Sequence, residues 1–109
     1  MNDKETVSGE VKQLAELLQY QDSSIVSRVL LKNKGGTVTL FAFDAGEGLS
    51  EHTAPFDALV VVTDGEAEVE IAGESFRVRQ GETIILPANR PHAVKATTKF
   101  KMLLIMIRA

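Results

Sequence analysis

"EAEVEIAGESFRVR", Glu66 to Arg79, is the stretch that decides the fold class. Glu66, Glu68 and Glu70 alternate with Ala67, Val69 and Ile71, and a period of two marks a strand with one wet face and one buried face. A two-residue loop at Ala72-Gly73 or at Gly73-Glu74 folds that strand back on "SFRVR". Both placements keep Phe76 and Val78 on the apolar face. Both also set glutamates opposite Arg77 and Arg79, in pairs worth about 0.2–1 kcal/mol each. Immediately upstream, Asp64-Gly65 reads as the turn that separates this hairpin from the apolar strand "ALVVV".

Working outward, "TIILP", "HAVKA" and "FKMLLIMI" follow, while "IVSRVLLK" and "TVTLFAF" precede. The last two are joined by "NKGG", whose Asn33, Gly35 and Gly36 can take the positive φ angles of a tight hairpin. "DAGEGLSEH" is read as a looser connection. About eight short strands separated by turn signals rather than helices predict a sandwich or a barrel. Both "ALVVV" and "FKMLLIMI" are apolar on two faces, so one barrel interior cannot bury them entirely. The N-terminal segment or a second subunit must cover the outside. In "SGEVKQLAELLQY", Val11, Leu14, Ala15 and Leu18 recur at helical spacing behind Ser8, a capping residue type. A short helix over about Gly9 to Tyr20 is expected, dividing the chain into a helical segment, residues 1–22, and an all-β domain, residues 23–109.

The 109 residues, 44% of them hydrophobic, suffice for one modest core. Twelve basic and fifteen acidic residues are interspersed, with a net charge of -3, which offers no footprint for a phosphate backbone. Nucleic acid is not an expected partner. No cysteine is present, which excludes thiolate metal sites and a cysteine nucleophile. "MNDKETVSGEVKQ" lacks the apolar centre of a secretory signal, and "MLLIMI" is far shorter than the roughly 20 residues that cross a bilayer. These features predict a cytoplasmic protein with no membrane contact.

Two spaced patterns then stand out. Gly46, His52 and Gly65 fall in the first, and Gly81, Pro87 and His92 in the second. At these offsets the chain resembles the small single-domain cupins over roughly Gly46 to Ala96, which implies an all-β, double-stranded β-helix of the jelly-roll kind behind the short N-terminal helix. The resemblance also implies a divalent metal held by three histidines and a glutamate. Ala54 and Ala58 occupy the positions of the second histidine and the glutamate, Asn89 replaces a glycine, and Ala96 replaces a final asparagine. Asparagine tolerates left-handed backbone better than most residues, so Asn89 is the mildest departure.

The metal expectation therefore reduces to His52 and His92, with Asp57 as the candidate third ligand if it turns inward. That set would suit iron, manganese, nickel or zinc in an oxygenase or isomerase. The leading expectation is instead a small polar organic ligand inside the barrel beside His52 and His92, with Phe41, Phe43, Val60 and Val62 as its wall by alternation. A third reading is a structural or regulatory homodimer, with a vestigial pocket, joined through the outer face of the last strand. No residue is assigned a catalytic role. Ser50, His52 and Asp57 lack the nucleophile elbow of a hydrolase, and no phosphate-binding loop or H-E-x-x-H motif occurs.

Overall fold

The computed structural model describes residues 8–108 of the chain. The first seven residues of the expected helical segment, and Ala109, lie outside the described residues. Among the described residues eight strands follow one another: β1 (Ile25–Asn33), β2 (Gly36–Phe43), β3 (Gly48–His52), β4 (Asp57–Ile71), β5 (Glu74–Arg79), β6 (Thr83–Leu86), β7 (His92–Lys95) and β8 (Phe100–Ile107). They pair antiparallel in the order β1-β2-β8-β4-β7-β3, with β5 and β6 also paired to β4.

The 15-residue β4 organises this sheet. Its first half, Asp57–Gly65, runs beside β8, and Ala58–Val61 also pair with β6. Its second half, Glu66–Ile71, pairs with β5, and Glu68–Ile71 also pair with β7. The expected turn at Asp64-Gly65 is instead a register shift within this one strand, between Val62 and Asp64. Gly65 has a φ of 71°, yet it stays paired with Phe100. A bulge and a turn both call for a residue that accepts left-handed backbone, so local composition does not separate them. The strand count survives because "GLSEH", read as connection, forms β3.

Of the two hairpin registers open for β4 and β5, the structure takes Ala72-Gly73, with φ angles of 50° and 85°. Glu66 then faces Arg79, and Glu68 faces Arg77. In the β1–β2 hairpin, Asn33 pairs with Gly36, and of the residues in "NKGG" only Gly36 has positive φ. Asn33 contributes differently: its Oδ1 accepts the Gly35 N–H at 2.7 Å.

Alternation sends Phe43, Val60, Val62, Val69, Phe100 and Met102 into one core, where each is essentially inaccessible to water. Phe43 and Phe100 pair across β2 and β8 and stack at 4.5 Å between ring centroids. Truncating either ring to alanine would cost about 3–5 kcal/mol.

The N-terminal α-helix is not formed; only a single 3-10 turn, Leu14–Glu16, appears. Gly9 takes a φ of 73°, and Val11, expected on the apolar face, is fully exposed. The carbonyls a helix would use internally are taken by the sheet. Lys101 Nζ donates to the Ala15 carbonyl at 2.7 Å, and an Arg28 guanidinium N–H to that of Leu17 at 3.0 Å. Leu17, Leu18 and Tyr20 pack with Leu40, Ala42, Val26, Leu30 and Leu103 on the outer sheet face. A segment this short gains more from such docking than from an isolated helix, whose nucleation is unfavourable.

The segment covers only part of that face. Beyond it, Leu31, Val38, Ile105, Leu59 and Ile85 lie in register across β1, β2, β8, β4 and β6. Leu31 is 64% exposed and Ile85 60%, so this apolar row meets solvent in the single chain. Among the described residues, no helix is long and apolar enough to cross a membrane.

Candidate functional site

His52 ends β3 and His92 begins β7, and the two residues pair directly across those strands. Directly opposed residues on neighbouring antiparallel strands share a face, so two imidazoles 40 positions apart meet. Their Nε2 atoms are 3.1 Å apart, and the rings meet edge-on with centroids 4.4 Å apart. A register shift between Leu49 and His52 sets this pairing.

Backbone carbonyls orient both rings. His52 Nδ1 lies 2.8 Å from the Ser50 carbonyl oxygen, and His92 Nδ1 lies 3.3 Å from that of Arg90. A carbonyl only accepts, so Nδ1 is the donor in each of these contacts in a tautomer that carries its hydrogen there, and the Nε2–Nε2 contact is a hydrogen bond when one of the two nitrogens carries a hydrogen. Sequence reasoning missed these two carbonyls, because any residue type can supply one. His92 is buried and His52 is exposed, which places the pair at the rim of the barrel. Burial, then the neighbouring His52, lower the His92 pKa below the usual imidazole range, against a smaller upward pull from the Arg90 carbonyl. The neutral ring is thus favoured.

The other expected site residues are placed as follows. Asp57 does not join the histidines; its Oδ1 accepts the Ala88 N–H at 2.8 Å, while Ala58 next to it faces the core. Alternation thus holds at Asp57 despite Pro55. Among the described residues, no group of three or more histidine, cysteine, aspartate or glutamate side chains could hold a metal ion. Neither Ala54 nor Ala58 carries a side-chain donor atom. Phe43, Val60 and Val62 are fully buried in the core, and Phe41 packs against it from a partly buried position. All four therefore face inward as alternation predicts. Asn89 adopts left-handed backbone, with a φ of 65°, and its N–H donates to the Ala54 carbonyl at 2.8 Å.

A separate hollow of about 350 Å³ lies elsewhere, lined by Gly48, Ser50, Glu68, Glu70, Ala93 and Lys95. The glutamates belong to the wet face of β4, which pairs with the arginines of β5: Arg79 Nε is 3.6 Å from Glu66 Oε2. Such an exposed contact contributes little.

An all-β sheet curled around one core by a long shared strand, with a histidine from β3 meeting one from β7, defines a double-stranded β-helix. The chain belongs to the cupin family: residues 39–108 match the cupin domain. A conserved Streptococcus pyogenes protein of unknown function is 34% identical to it, with a TM-score of 0.89 over 93% of this chain and 89% of that one. A cupin 2 conserved barrel domain protein from Leptotrichia buccalis is 46% identical, with a TM-score of 0.84 over 86% of this chain; the match spans 46% of that longer protein. A cupin superfamily protein from Desulfitobacterium hafniense is 26% identical, with a TM-score of 0.88 over 93% of both chains. No curated protein matches.

Proposed function

We propose that this cupin binds a small polar organic molecule, with the His52–His92 pair as the anchor for its head group. The observation that carries this reading is the convergence of two Nε2 atoms at 3.1 Å, with a backbone carbonyl beside each Nδ1. Paired polar atoms at the edge of an apolar barrel are what a ligand site needs to fix orientation. On this reading the partly buried Phe41, which packs against the core, takes the apolar part of the molecule. The test is a fragment screen read by the ring signals of the two histidines. Fragments that perturb both rings, and lose affinity in His52→Ala, support the proposal; a screen that leaves both rings unperturbed removes it.

A specific observation also favours a second reading, in which the pair holds a divalent ion. A separation of 3.1 Å between nitrogens suits two neighbouring positions around one metal with bonds of about 2.0–2.1 Å. Carbonyl-bonded Nδ1 atoms are the usual support for metal-bound histidine. Two donors nevertheless fall short of the three or four protein ligands of a tight site, so these residues do not fit a resident, firmly held metal. Near-stoichiometric metal in the purified protein, lost in both His52→Ala and His92→Ala, would establish this reading in place of the first.

We also propose that the chain is a homodimer joined through the row Leu31, Val38, Ile105, Leu59 and Ile85, which is apolar and uncovered in one chain. A stable monomer in sedimentation experiments at micromolar concentration would remove this proposal.

A further inference from the structure

The outer sheet face is occupied at one strand end and bare at the other. On β2 and β8 the N-terminal segment covers Leu40, Ala42 and Leu103, while Val38, Ile105 and Ile107 lie beyond it. Because the segment stands proud of the sheet, two bare rows can meet only if each segment falls past the far end of the other row. A two-fold axis along the row does this, since it reverses the strands and keeps the position across the sheet. An axis along the strands would instead set segment against segment over β8 and hold the rows apart.

The same axis decides where the upstream end of the segment arrives. The segment passes from β1, where Arg28 donates to the Leu17 carbonyl, to β8, where Lys101 donates to that of Ala15, and Leu14–Glu16 lies against β4. Residues 8–13 therefore leave the sheet on its β4 side. All six are exposed, Val11 fully so. Reversing the strands brings this arm to the opposite end of β4 in the other copy. There Asp57, Leu59, Ile85 and Ile107 line a hollow of about 220 Å³, with Ile85 and Ile107 each 60% exposed. Glu10 and Lys12, which contact each other at 3.4 Å in the single chain, flank Val11, and Asp57 and Arg108 flank the hollow. Opposite charges are thus available on both sides of the contact.

Resting on the homodimer reading, we infer that the two chains exchange N-terminal arms, with Val11 of each seated in the hollow at the start of β4 in the other. Exchange removes the exposed valine and the apolar hollow from water together. The seated arm also borders Asp57, which holds the Ala88 N–H in the loop leading to His92.

The chain has no cysteine, so a variant carrying Val11→Cys and Ile107→Cys holds the only two thiols. A disulfide forms only when the two Cα atoms come within about 7 Å. The full-length variant is oxidised mildly at micromolar concentration and run on a denaturing gel without reductant, beside sedimentation of the parent chain. The expected result is a dimeric parent and a covalent dimer as the main product. Val11→Cys combined with Ser75→Cys, on the wet face of β5, should give little covalent dimer. Val11→Asp should raise the dimer dissociation constant about tenfold or more, since two valines leave apolar contact in each dimer. A dimeric parent with no covalent dimer, or with equal yields from the two cysteine pairs, would overturn arm exchange and leave the homodimer standing. A disulfide closed within one chain would place the arm on its own hollow and overturn the inference, as would an unchanged dissociation constant for Val11→Asp. A monomeric parent would remove the homodimer and the inference together.

Discussion

Replacing Gly65 by alanine tests the feature that lets one strand serve both halves of the barrel. Gly65 has a φ of 71°, a conformation that costs an L-residue about 1–2 kcal/mol. A Cβ there would lie 2.3 Å from the Lys99 carbonyl oxygen, 3.1 Å from Phe100 Cα and 3.2 Å from Phe100 Cβ. Two of these are backbone atoms, one on Lys99 just before β8 and one on Phe100 at its start, and Phe100 is held by its stack on Phe43, so relief requires the two strands to separate. Forcing an extra methyl group into packed structure adds about 1–3 kcal/mol. Together these give about 2–5 kcal/mol, a large part of the roughly 5–15 kcal/mol that holds a typical domain folded.

Gly46→Ala is the internal control. Its φ is 90°, and a Cβ there would meet nothing within 4 Å, so it bears only the conformational cost of about 1–2 kcal/mol. Urea unfolding of both variants measures the difference, with the slope checked for a changed unfolded state. Equal losses in the two variants would refute the claim that the β4–β8 approach at Gly65 is what excludes a side chain.

Four further outcomes are expected. Ile105→Glu should yield a folded monomer by size-exclusion chromatography, whereas Met102→Glu should lose several kcal/mol because Met102 is 1% exposed and its charge would be buried unpaired; equal damage from both would contradict the assignment of the two faces of β8. Lys101→Met removes the donor to the Ala15 carbonyl and the cation 4.9 Å from the Tyr20 ring, so about 1.5–3 kcal/mol should be lost and hydrogen exchange over residues 14–20 should accelerate; unchanged exchange would contradict the docking described above. Because His92 titrates lower in the folded chain than in the unfolded one, its contribution to stability should be present above about pH 6.5 and be lost as pH falls through the folded pKa. In His52→Ala, removal of the neighbouring ring should move the His92 pKa upward, as NMR titration would show; a downward move would contradict the cause given for the shift.

Much of the fold was legible because strand alternation is a local property. Glu66 to Val78 show their wet and buried faces within a few residues, and the spacing of Gly81, Pro87 and His92 carried the family resemblance. The same locality misled at Asp64-Gly65, where a bulge and a turn require the same backbone freedom. It misled again at Leu14 to Leu18, whose apolar spacing suits a helix but whose carbonyls bond to Lys101 and Arg28 on strands distant in sequence. The candidate site divides similarly. The two histidines were visible as residues, but their 3.1 Å approach depends on β3 and β7 being neighbours, and the Ser50 and Arg90 carbonyls that orient them leave no mark in side-chain identity.

The sequence by itself determined the β class, the alternating faces of the strands and the absence of donor atoms at Ala54 and Ala58, because each follows from residue type and period. Only the tertiary structure decided that β4 runs unbroken through its bulge, that Asp57 bonds to the Ala88 N–H, and that two imidazoles meet through their Nε2 atoms. Those outcomes depend on which distant strands become neighbours, and hydrogen-bond partners across a sheet are set by that pairing rather than by the local chain.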